Sequence, residues 1–118
     1  MNPDIETLRD YLESNDVVVQ FEKGGICAFW KSKSFPLITI NTNVRGNNRL
    51  YVMLHEAGHY MNWTKQLDQD MLLEEYTAWE NGIELAKNLN IFIDEKKYWC
   101  YANRALNSYK RYYLKNAS

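Results

Sequence analysis

Both histidines of this 118-residue chain fall within five positions, His55-Glu56-Ala57-Gly58-His59. That spacing constrains the fold more than any other feature. On an α-helix, side chains four residues apart lie on one face, a single turn from each other. Tyr51, Val52, Leu54 and Met61 make the same helix apolar around much of its circumference, which predicts a central helix rather than a surface one. The competing reading, two solvated histidines on an amphipathic surface helix, fits that apolar surround poorly.

Elements arrange themselves around this helix. A first helix is expected from about Asp4 to Glu13, with Pro3 near its first position and Ile5, Leu8, Tyr11 and Leu12 on its apolar face. Residues 16–21 (DVVVQF) read as a strand, EKGG as a turn and residues 26–31 (ICAFWK) as the returning strand of a hairpin. LITIN (37–41) reads as a third short strand, either interior or a free edge able to pair with an extended peptide. After the motif helix, a long helix is expected from about Asp70 to Asn88, capped by Asp68 or Asp70. Asp94 caps a last one reaching about Lys115. The order is α-βββ-α-α-α, a small α+β fold, with residues 1–118 forming a single domain.

The motif has a definite chemistry. His55 and His59 can aim neutral imidazole nitrogens at one point, as zinc requires. Glu56, next around the helix, can reach a water on the metal without binding the metal itself. It would take the proton of that water and later deliver it to a leaving amine. Gly58 weakens the helix by about 1 kcal/mol relative to alanine, but allows another element to pack close beside the site.

A catalytic zinc site needs a third protein ligand, and no other histidine exists. At about 100° per residue, the next helix presents one apolar arc running from Leu85 through Ala78, Gly82, Ala86 and Trp79 to Tyr76. Glu75 sits in the middle of it. A carboxylate among apolar groups is costly unless compensated, and a metal would compensate it. Glu75 is therefore the expected third ligand, and Glu74, just outside the arc, the alternative. Glu80 and Glu84 fall on the polar side.

With HEAGH followed by a glutamate on the next helix, the chain resembles gluzincin-type zinc peptidases. More narrowly, it resembles the ImmA/IrrE-like metallopeptidases of bacteria, phages and mobile elements. The resemblance covers the motif helix and residues 74–91, including Glu75, Ala78, Trp79 and Gly82 of a Glu-x-x-Ala-Trp-x-x-Gly pattern. It implies a minimal zincin-like domain with Zn2+ on His55, His59 and Glu75, and Glu56 as the catalytic glutamate. It also implies a protein or peptide substrate, with a repressor-like regulator as the family's precedent. The expected function is a zinc-dependent peptidase. The alternative is a zinc-containing regulatory or protein-binding module with little peptidase activity.

A net charge of -1, with both signs spread along the chain, makes no electrostatic case for nucleic acid or membrane as a partner. The N-terminus, MNPDIETLRDYL, reads as an amphipathic helix rather than a signal peptide, so a cytoplasmic protein is expected. Cys27 and Cys100 share no close spacing and read as reduced core thiols; a closed structural zinc site would need one of them as fourth ligand. Tyr98, Tyr101, Ala102, Ala105, Tyr109 and Tyr112 form a stripe expected to be core packing. Tyr109 or Tyr112 is the candidate donor to an oxyanion.

Overall fold

A computed structural model of the chain describes residues 2–32, 34–66 and 68–117, with side chains through Tyr112. Its elements are α1 (Pro3–Ser14), β1 (Val18–Glu22), β2 (Ala28–Trp30), β3 (Leu37–Asn41), α2 (Asn47–Thr64), α3 (Met71–Asn88) and α4 (Glu95–Ala117). Among the described residues the fold is α+β, four helices and one three-stranded sheet.

α1 starts where the sequence predicts, with Pro3 in the first turn and the Asn2 side chain accepting from the Asp4 N–H at 2.8 Å. Its end explains why the first strand begins two residues late. Asp16 adopts φ 63° and donates its N–H to Glu13, while the Val17 N–H reaches back to the Leu12 carbonyl. This paired closure satisfies carbonyls that the helix end leaves open. Asp16 and Val17 thus finish the helix, and Val17 packs in the core beside Leu12.

The sheet corrects the expected hairpin between the first two strands. Its order is β1-β3-β2, with β1 parallel and β2 antiparallel to β3. Asn41, the last residue of β3, accounts for the crossing. Its Oδ1 accepts from the Gly24 N–H (3.0 Å), its Nδ2 donates to the Gly25 carbonyl (3.2 Å), and its own N–H donates to the Cys27 sulfur (3.2 Å). The loop after β1, turned by positive φ at Gly24 and Gly25, is pinned over the end of β3 and delivers β2 to its far side. LITIN is therefore the central strand, not an edge. Ile38 and Ile40 are fully buried, facing Val19, Phe21 and Phe29 in register. Among the described residues, β2 has a strand on one side only.

α1 and α2 cover the apolar face of the sheet, and α2 packs chiefly on α3. Two glycines permit that contact. A Cβ on Gly58 would overlap the Ala78 carbonyl, and one on Gly82 would crowd the Leu54 carbonyl and the Tyr98 hydroxyl. The α3 wheel holds, since Glu75, Ala78, Trp79, Gly82, Ile83, Leu85 and Ala86 are buried, although Tyr76 at the arc's end is exposed. The tyrosine stripe of α4 holds only in its first half. Tyr98 and Ala102 are buried and Leu106 continues the core, but Tyr112 is 64% exposed. Among the described residues, no helix is long and apolar enough to cross a membrane.

Candidate metal centre

α2 and α3 bring His55, Glu56, His59, Glu74 and Glu75 to the floor of an open cleft of about 1260 Å³. Asp70 starts α3 by accepting from the Leu73 N–H at 2.8 Å, which fixes where the helix begins and hence which face Glu75 occupies. The two imidazoles converge. His55 Nε2 lies 2.8 Å and His59 Nε2 3.2 Å from the same oxygen, Oε2 of Glu75. Glu75 is 7% exposed and Glu56 5%. His55 Nδ1 approaches the Glu56 carboxylate at 3.4 Å, and His59 Nδ1 meets Glu74 at 2.8 Å.

Three carboxylates surround two imidazoles, a donor set that could hold a cation. Ligand atoms of His55, Glu56 and His59 lie within 4.8 Å of one another, as do those of His59, Glu74 and Glu75. Two imidazole nitrogens and a buried carboxylate are donors that suit zinc, and the open cleft leaves room for a substrate or water beside them.

The same proximity governs protonation in the metal-free protein. Burial alone would lower the pKa of His59, but hydrogen bonding to Glu75 and the negative charge of Glu75, Glu56 and Glu74 raise it to about 9. His55 is raised likewise, with burial outweighed by Glu56 and Glu75. Burial opposes ionisation of Glu75, yet the two histidines hold its carboxyl well below the ordinary range.

Of the two candidate tyrosines, Tyr109 lines the cleft. Burial, the charge of Glu75 and a hydrogen bond to that carboxylate push its phenol up to about 12, so it remains an O–H donor at neutral pH. Tyr112 lies further along α4 and is largely exposed. Cys100 is exposed, correcting its expected core position, with its sulfur 3.9 Å from Arg104. Cys27 is half-buried at the cleft wall, its thiol raised chiefly by burial, and it belongs to neither cluster of possible ligands found among the described residues.

Two residues near the site had no assigned role in the sequence reading. Trp79 stacks on His55, centroids 4.0 Å apart and planes within 5°. Its Nε1–H is buried and meets no acceptor among the described residues. The Glu75-to-Trp79 spacing of four was the available signal. Asn62, 3% exposed, joins α2 to α3 by donating to the Glu74 carbonyl (3.1 Å) and Thr77 Oγ1 (2.9 Å) and accepting from Asn81 Nδ2 (2.8 Å). An asparagine three residues past His59 on an apolar helix could have flagged it.

No family model matches the chain, and no curated protein or solved structure matches it.

Proposed function

We propose that this chain is a zinc-dependent peptidase of the kind its ImmA/IrrE-like motif implies, acting on a protein or peptide segment held in the cleft. The observation that carries the reading is the convergence of His55 Nε2 and His59 Nε2 on the buried Glu75 carboxylate, with Glu56 alongside. His55, His59 and Glu75 would hold the metal. When bound, zinc would polarise a substrate carbonyl and acidify a water.

The chain's own residues supply the rest. Glu56 accepts the proton of the attacking water and returns it to the amine that leaves. Tyr109, kept protonated beside Glu75, would donate to the negative oxygen that develops on the attacked carbonyl by turning its O–H from that carboxylate. Trp79 fixes the plane of the His55 ring. β2 lines the cleft with one side unpaired among the described residues, so an extended segment can add to it by main-chain hydrogen bonds.

The apolar rim of the cleft favours a second reading, a module that captures a partner without cutting it. Ile26, Trp63 and Met71 line the cleft and are all exposed. Incubation with a peptide library, read by mass spectrometry, separates the two. The peptidase predicts defined cuts that a chelator and Glu56→Gln both abolish. Uncut peptides retained equally by wild type and Glu56→Gln would establish the module instead.

A further inference from the structure

Glu74 and Glu75 are consecutive, yet they address opposite edges of one ring. Glu75 Oε2 faces His59 Nε2 at 3.2 Å, while Glu74 Oε2 meets His59 Nδ1 at 2.8 Å. The in-plane N–H of one imidazole nitrogen and the lone pair of the other point away from each other, so a Glu74 oxygen seated on Nδ1–H is turned away from a metal held by Nε2. Resting on the zinc reading above, we infer that Glu74 is not a ligand but the positioning residue for His59: it accepts the Nδ1–H and so commits Nε2 to the metal.

Glu74 is itself held by the helix it orients. Its backbone carbonyl accepts from the amide of Asn62, which lies in α2 three residues past His59. Asn62 is in turn fixed by Asn81, whose Nδ2 also reaches the Gly58 carbonyl at 3.3 Å. The main chain of Glu74 is thus tied to α2, and its side chain returns to His59 on the same helix. A ring so held keeps one tautomer and one orientation, and the carboxylate raises the basicity of the coordinating nitrogen.

The test is zinc affinity by chelator competition, measured with metal-free melting temperature, for wild type, Glu74→Ala, Glu74→Gln and Glu75→Ala. Glu74→Ala should bind zinc roughly 10- to 100-fold more weakly. Glu74→Gln should recover most of that loss, because its amide oxygen still accepts from Nδ1–H. Glu75→Ala should lose more than either. Nitrogen-15 spectra of the zinc-loaded wild type should show His59 protonated at Nδ1. Glutamine and alanine variants that both lose zinc as severely as Glu75→Ala would make Glu74 a ligand and overturn the inference. So would a Glu74→Ala variant with unchanged affinity, or protonation at Nε2. Wild type without zinc affinity would remove the metal reading and this one together, whereas the other outcomes leave the metal reading standing.

Discussion

Gly58 of α2 lies so close to Ala78 of α3 that a Cβ on the glycine would overlap the alanine's carbonyl. The obstacle is backbone in a helix, which cannot swing aside as a flexible side chain would. This contact sets the distance between the helix that carries the histidines and the helix that carries Glu75.

Gly58→Ala should therefore destabilise the protein despite alanine's helix preference. That preference is worth about 1 kcal/mol in favour of the variant. Forcing the helices apart costs about 1–3 kcal/mol or more. Urea unfolding should give a net loss, with zinc affinity falling as the ligands separate. A variant as stable as wild type would mean that the helices are not in this contact.

The stack of Trp79 on His55 predicts a different pattern. Trp79→Ala removes a ring that is 1% exposed and should cost roughly 3–5 kcal/mol. Trp79→Phe keeps a ring face against the imidazole and should retain most of the zinc affinity. Equal loss of affinity in both variants, at equal stability, would show that the stack does not orient His55.

Protonation of the metal-free protein should leave a clear pH signature. The His59 pKa rises on folding from 6.5 to about 9, so its contribution is complete below pH 6.5 and disappears as pH rises through about 9. Glu75 moves the other way from 4.5, so its contribution is present above that pH and is lost as pH falls below it. The melting temperature of chelator-treated protein should accordingly be highest between about pH 4.5 and 6.5 and decline toward pH 9. Zinc competes with the same protons, so its affinity should climb across that upper range. A melting temperature that rises from pH 6 to 9 would contradict the ion pairs.

Much of this site could be read from the chain because it lies on two helices whose periodicity is strong. Glu75 stands out as the one charged residue of an apolar arc, and its angle follows from counting. Strand pairing could not be read the same way. EKGG has the composition of a hairpin turn, yet the order β1-β3-β2 depends on Asn41, 17 residues beyond Gly24, gripping that loop. Asn62, and the contact of Glu74 with His59 Nδ1, are not legible for a related reason. Each acts on a neighbouring helix, and no local pattern records which groups it will meet. The stripe on α4 failed halfway because helical spacing predicts which residues share a face, not how far the neighbouring core extends.

Glu56→Gln separates proton transfer from metal binding. The substitution preserves shape and removes only the proton acceptor, so zinc content should stay near wild type while peptide cleavage falls by about 10²- to 10⁴-fold. Loss of zinc in this variant would place Glu56 among the ligands.

On the proposed reading His55, His59 and Glu75 hold one zinc ion, and elemental analysis of the purified protein counts it. Wild type prepared with ample metal should carry one zinc per chain, and His59→Ala should carry little. Wild type without zinc under the same conditions would mean that these residues hold no zinc.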